Sequence, residues 1–294
     1  FKNKINETIL IKSGNTSIKK DKQLVNKKII FSKNSNICFT NNAILYIKDS
    51  EVIINGDKSN PTIFNGCKGD NGSIVIENSK IKLGFLITKN LSFPIIKLRS
   101  LYGGINIINS NLEGDEIFVS NSKSEDAINI INSKVKLNGI KFQNIKSDAL
   151  DSDFSFLNIG KISCNNIGND CLDFSFSEGK INLFEANLVK DKVVSLGERS
   201  TLKINKLNAI KSEIGVVSKD ESNFNLDKYY FDGVKVPISA YIKKNEFKPP
   251  KVSIGFIQKK LNEDFLQFIS FDSEVLIENK RYIGTNQSRK ISEL

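Results

Sequence analysis

The chain has 294 residues, 39% of them hydrophobic, with 43 Lys and Arg against 33 Asp and Glu and a formal charge of +10. That length holds one large domain or two ordinary ones, with enough apolar material for a long core. His, Met and Trp are absent, which excludes a histidine-based zinc site or histidine acid–base chemistry, and no run of about 18 apolar residues exists to span a membrane.

A chain that begins without Met and without a leader ahead of Phe1 reads as processed or cut from a longer polypeptide, so further domains of that polypeptide are expected partners. The positive charge fits a partner of opposite sign. An acidic glycan suits it better than nucleic acid, for which no binding motif is present. The lysines are scattered among abundant Asn, Ile, Ser and Phe, so compositional bias explains them equally well.

Residues 1–40 are Lys-rich with short apolar runs and read as irregular first rungs or an N-terminal cap of a repeat that follows. In that repeat a serine precedes each alternating apolar stretch: Ser50, Ser79, Ser110, Ser133, Ser155, Ser177, Ser200 and Ser222, with steps of 29, 31, 23, 22, 22, 23 and 22. A second register, Ile128, Leu150, Leu172, Val194, Val216 and Ile238, keeps a step of 22 throughout. Residues 104–110 and 127–133 are nearly the same text.

Each repeat holds short period-two stretches of Ile, Val, Leu and Phe separated by Asn, Ser, Gly and Asp. That pattern predicts an all-β fold, a right-handed parallel β-helix solenoid of about 22 residues per rung. Each rung is expected to hold three short strands, with Phe154 and Phe176 stacked as an aromatic ladder. Asn144 and Asn166 are expected to form an amide ladder at a turn. The rhythm fails at Pro249-Pro250, so residues 1–248 read as the solenoid and 249–294 as a small C-terminal cap. The four cysteines, Cys38, Cys67, Cys164 and Cys171, read as core filler. Cys38 and Cys67 stand one 29-residue step apart, which places them on adjacent rungs within disulfide reach.

Two polar columns run through the late rungs. One is Asp126, Asp148, Asp170 and Lys192. The other, three residues on, is Asn129, Asp151, Asp173 and Ser195, expected to point outward. Rungs lie about 4.8 Å apart, so stacked carboxylates repel and need compensation. A shared proton would make an acid–base pair. A bound Ca²⁺ held by Asp148, Asp151, Asp170 and Asp173 is a second answer. Ammonium groups of Lys146, Lys190, Lys192 or Lys219 are a third. Plain turn capping by Asp is the structural alternative.

Ser147-Asp148-Ala149-Leu150-Asp151, Asn169-Asp170-Cys171, the segment 191–197 and Val217-Ser218-Lys219 together resemble the turn pattern of polygalacturonases, in the pectin-lyase-like β-helix superfamily. Asn169, Lys192 and Val217 stand where that pattern has aspartate, histidine and arginine. Ser124-Glu125-Asp126-Ala127-Ile128-Asn129, Asp148-Ala149-Leu150-Asp151, Gly197-Glu198-Arg199-Ser200 and residues 241–247 resemble bacterial surface β-helix domains associated with CotH-like kinase proteins. These resemblances span roughly residues 40–250.

They imply a secreted or cell-surface protein that binds or processes polysaccharide. Asp170 would be the acid and Asp148 or Asp173 its partner base. Lys192 and Lys219 would hold substrate carboxylates, and Asp151, Asn169, Ser195 and Arg199 would line the substrate. A calcium-dependent lyase using Lys192 or Arg199 as base is a variant. A non-catalytic adhesive rod or scaffold domain is the alternative, and a phage tailspike a third reading.

Overall fold

The computed structural model describes residues 5, 7–67, 69–96, 99–257, 263–288 and 291. The chain is all-β, a parallel β-solenoid of about 23 residues per turn. It divides into two compact units, Phe1–Asp151 and Ser152–Leu294. Among the described residues no helix is long and apolar enough to cross a membrane.

Early rungs of the first unit carry three strands. One is Glu7–Ile11, Gly14–Ile18 and Lys22–Val25; the next is Lys27–Phe31, Ser35–Phe39 and Ile44–Lys48; a third is Glu51–Ile54, Thr62–Gly66 and Ser73–Glu77. Each strand pairs in parallel with its counterpart one rung on. Residues 7–39, expected to be irregular, are therefore already in register. Alternation of the apolar positions explains it: Ile29, Phe31, Ile37 and Phe39 are buried in the interior.

From residue 80 the first two strands of a rung fuse. Lys80–Lys89 pairs with both Glu51–Ile54 and Thr62–Gly66, and Asn111–Ser120 and Lys134–Ile145 follow as single long strands. Later rungs thus have two strands where the sequence suggested three. Gly103–Ile108 and Asp126–Ile131 continue the other sheet, with Ile105 opposite Ile128, so the near-identical segments do stack. The 31-residue step carries an insertion in which Ile95–Ile96 pairs antiparallel with Arg99–Ser100. Its Ile96 and Leu101 pack on Ile44, Val75 and Ile108 and cover that sheet's outer face.

The second unit repeats the two-strand rung. Phe156–Ile167, Glu178–Val189, Thr201–Ile210, Asn223–Asp232, Lys251–Ile257 and Glu274–Ile277 form one parallel stack. Leu172–Ser175, Lys192–Leu196, Ile214–Lys219 and Val236–Tyr241 form the other. The stack does not stop at Pro249-Pro250. Val252, Ile254, Val275 and Ile277 point inward at 2% exposure or less and extend the core, while the prolines sit in a corner that owes the ladder no N–H. The end comes where Lys280–Tyr282 turns back antiparallel on Glu274–Ile277.

The recurring serine proves to be a hydrogen-bond column. Ser79 Oγ accepts from Ser50 N–H (3.0 Å) and donates to the Glu77 carbonyl (2.7 Å). Ser110 and Ser133 do the same one and two rungs on, and in the second unit Ser177 Oγ accepts from Ser155 N–H and Ser200 Oγ from Ser177 N–H. Each hydroxyl thus pairs a buried corner amide that the sheet ladder leaves free. Ser79→Ala leaves the Ser50 N–H unpaired, and a loss of about 1–3 kcal/mol is expected in urea unfolding.

Cys38 and Cys67 are disulfide-bonded with Cα atoms 5.6 Å apart, as their common step suggests. Cys164 and Cys171 are bonded as well, Cα–Cα 6.3 Å, so neither pair is simple core filler. The bond from Cys38 closes a 29-residue separation, worth about 3–4 kcal/mol in chain entropy. Joint replacement of Cys38 and Cys67 by serine is expected to lower stability by about 3 kcal/mol in oxidising buffer and to change nothing in reducing buffer, as read by denaturant midpoints.

Candidate functional site

On the short-strand sheet of the second unit, alternation sends Leu172, Phe174, Val194, Leu196 and Val216 inward, each 0% exposed, and turns Asp173, Ser175, Ser195 and Lys219 to the other face. Asp173 lies opposite Ser195, and Ser195 opposite Val217. One outer face therefore collects polar side chains from successive rungs.

Asp170 stands at the turn entering the first of these strands, 4% exposed. Its Oδ1 accepts from the Lys192 backbone N–H (2.9 Å) and lies 3.4 Å from Lys192 Nζ. Burial pushes the Asp170 carboxyl up to about 7, with the charges of Asp173 and Asp191 adding to burial and that of Lys192 opposing it. Lys192 cannot bring Asp170 back to an ordinary value because its ammonium is shared with the Asp191 carboxylate. Burial works against the Lys192 charge too, but Asp170 and Asp191 outweigh it and hold the ammonium above its usual range.

The polar network runs on along the face. Burial and the charges of Asp173 and Glu198 push Asp153 up. Burial also pushes on Glu198, yet bonds from Lys244 and from the Ser175 hydroxyl (2.7 Å) prevail and hold it low. Lys219, buried, donates from Nζ to Ser195 Oγ (2.9 Å). Burial pushes up the phenol of Tyr241, which feels the charges of Lys192, Asp220, Asp191 and Asp170. Val217, Tyr241 and Ile291 pack together at this margin.

Of the residues singled out in sequence, Asp170, Asp173 and Lys192 come together, and Ser195 and Lys219 join them. Lys192 and Lys219, expected to receive substrate carboxylates, already hold partners within the fold. Asn169 is half-buried and its carbonyl accepts from Asp191 N–H (3.3 Å). Arg199 is bonded through Nε to Glu221 (2.9 Å), with its guanidinium 5.6 Å over the Phe247 ring. Lys190 and Lys146 are exposed, and the Lys146 backbone N–H donates to the Ser122 carbonyl.

In the first unit Asp148 is half-buried and its N–H donates to the Glu125 carbonyl (2.8 Å). Asp151 Oδ2 and Asp126 Oδ2 each accept from the Asn129 amide at 2.9 Å. Asn129 and Ser195, expected to face solvent, are 3% and 0% exposed; the outer face carries covering side chains that a strand pattern does not reveal. Among the described residues no group of three or more His, Cys, Asp or Glu side chains is disposed to hold a metal ion, so the calcium reading of Asp148, Asp151, Asp170 and Asp173 gains nothing from the geometry.

Asp153, Asp191, Glu198, Tyr241 and Lys244 were not foreseen. A signal for two of them exists: Asp153 and Glu198, like Ser175, stand two residues before a ladder serine, in Ser155, Ser200 and Ser177. Comparison of the chain with protein-family models, with curated proteins and with solved structures gave no match in any of the three.

Proposed function

We propose that this chain binds polysaccharide along the outer face of the short-strand sheet in its second unit, and that Asp170 acts there as a proton donor. One observation carries the reading: a carboxyl held to about pH 7 by burial and by neighbouring acids. A group with that affinity keeps its proton near neutrality and releases it readily, as a general acid must. Asp173, close enough to raise Asp170 by its charge, is its partner base. Lys192 fixes the Asp170 carboxyl from two directions and is a positioning residue. The turn pattern like that of polygalacturonases agrees with this reading, as does the likeness to CotH-associated surface domains. Two disulfides fit a secreted or cell-surface setting.

The test is chain-length analysis of a panel of neutral, amino and uronic-acid polysaccharides incubated with the protein and with Asp170→Asn. Shortening that falls at least 100-fold in the variant supports the acid role. No shortening of any polymer by the folded protein sinks it and leaves a scaffold or adhesive domain. That second reading is favoured by one fact: Asp170 Oδ1 already caps the Lys192 N–H at the next rung.

A further inference from the structure

In the first unit the residue that enters a short strand is held by the residue three further on. Asn106 Oδ1 accepts from the Gly103 N–H (3.0 Å), and its amide donates to the Gly103 carbonyl (2.7 Å). One rung on, the Asn129 amide donates to Asp126 Oδ2 (2.9 Å), and Asp126 is 5% exposed. Gly103 pairs with Asp126 and Asn106 with Asn129, so the same device recurs in register. Asp148 has Asp151 in that place, a side chain with no N–H to give, and Asp148 is only half-buried.

Asp170 has Asp173 there. Asp173 offers no amide either, and its charge opposes ionisation of Asp170. On the precedent of Asp148 the Asp170 turn would lie half open. Asp170 is instead 4% exposed. Its rung differs from the others in one covalent feature. Cys38–Cys67 joins two rungs, whereas Cys164–Cys171 closes the corner within one, from the strand Phe156–Ile167 to the residue after Asp170.

Cys164 and Cys171 are 2% and 0% exposed, so the bond ties the inner side of the turn to the long strand. Cys171 N–H donates to the Lys192 carbonyl and Lys192 N–H to Asp170 Oδ1, each at 2.9 Å. These bonds fasten the outer side, but water competes for them, and a buried carboxyl gains hydration by swinging out. A covalent tie across a separation of 7 residues allows the backbone little of that swing. Packing by itself asks for no sulfur here. The next rung fills the same two places with Ala186, opposite Cys164, and Val193, 22 residues after Cys171.

We propose that the Cys164–Cys171 bond is a clamp that holds the Asp170 turn shut, which makes both cysteines positioning residues for the proton donor. The proposal rests on the proton-donor reading of Asp170 and adds a condition to it: the pair must be oxidised for the acid to stay buried.

The test is Cys164→Ala with Cys171→Val, which copies the next rung and is expected to fold. Urea unfolding at pH 5 and pH 8 is compared with wild type. Asp170 faces Lys192, Asp191, Asp173 and the Tyr241 phenol. Buried among them it titrates near 7 when folded, above its unfolded value, so wild-type stability falls between these pH values. An opened turn returns Asp170 to water and takes that fall away. The variant is expected to show a fall at least about twofold smaller, and exchange of the Lys192 amide proton at pH 8 at least about tenfold faster. Stability lowered equally at both pH values, with Lys192 exchange unchanged, would overturn the clamp. So would a change in pH dependence when the cysteines are replaced in an Asp170→Asn background, since the effect must pass through Asp170. Cys164→Ala with Cys171→Ala gives the same readings should valine overfill the corner. On a polymer that wild type shortens, the variant is expected to lose the alkaline side of its pH profile, at least about tenfold at pH 7. No shortening by wild type fails the proton-donor role alone, because unfolding and exchange still decide the clamp.

Discussion

Asp170→Asn is expected to raise the unfolding free energy at pH 8 by about 1–3 kcal/mol and to flatten the dependence of stability on pH. Asp170 titrates near 7 in the folded chain, against an ordinary value of 3.8. The folded state therefore binds the proton more tightly than the unfolded one. The stability that follows is fully present below about pH 4 and is lost as pH rises through about 7. At pH 8 the wild-type chain must keep a buried carboxylate beside Asp173 and Asp191. Asparagine removes that charge and still offers an oxygen to the Lys192 N–H, while Lys192 retains Asp191. Urea unfolding of both proteins between pH 4 and 8 decides the matter, and parallel curves would mean that Asp170 is ionised throughout.

Phe174→Ala is expected to cost about 3–5 kcal/mol, the largest single effect foreseen for the second unit. The ring is fully buried, and it fills the space opposite Gly179, where even a Cβ would come within 2.7 Å of it. Interiors this tight collapse little when a ring is removed. The backbone of Phe174 joins Asp173 to Ser175, so the loss reaches the outer face as well. Guanidinium midpoints give the size, and Phe174→Leu should recover part of it. A cost below about 1 kcal/mol would show that the corner hydrogen bonds, and not the ring, hold this rung.

The architecture was legible because both of its determinants are periodic. The buried column from Ile128 to Ile238 and the corner serines are local signals repeated at one spacing, and each register is confirmed by its neighbours. What failed to show was whatever depends on a break in the period. The fusion of two strands at Lys80–Lys89 still shifts the buried positions from Ile81 and Leu83 to Leu86 and Thr88, as a corner between two strands can, so two-strand and three-strand rungs look alike in sequence. Pro249-Pro250 looked like an end because proline disrupts ladders, yet it falls where the ladder needs no donor. The site was half legible: column positions found Asp170, Asp173 and Lys192, while Asp191, Tyr241 and Lys244 come from turns and from the late rungs, which repeat imperfectly. Phe154 and Phe176 do stack, centroids 4.9 Å apart, but their rings lie out in solvent at 59% and 40% exposure. That outward turn was hidden for a different reason. Their spacing announces a stack but not the sign of φ that decides which side of the corner it occupies.

The serine column has a direction. Ser79, Ser110 and Ser133 each give a proton to their own rung and take one from the rung before, so the chain of bonds reads the same way at each of these corners. Addition or loss of one whole interval leaves every remaining corner with the partner it requires, whereas a shift of a single residue breaks the sequence of donors at once. The rung is in this sense the unit in which such a chain can change length, and its own size is free to vary, since the same bond forms across steps of 29 and 31 residues as across 23.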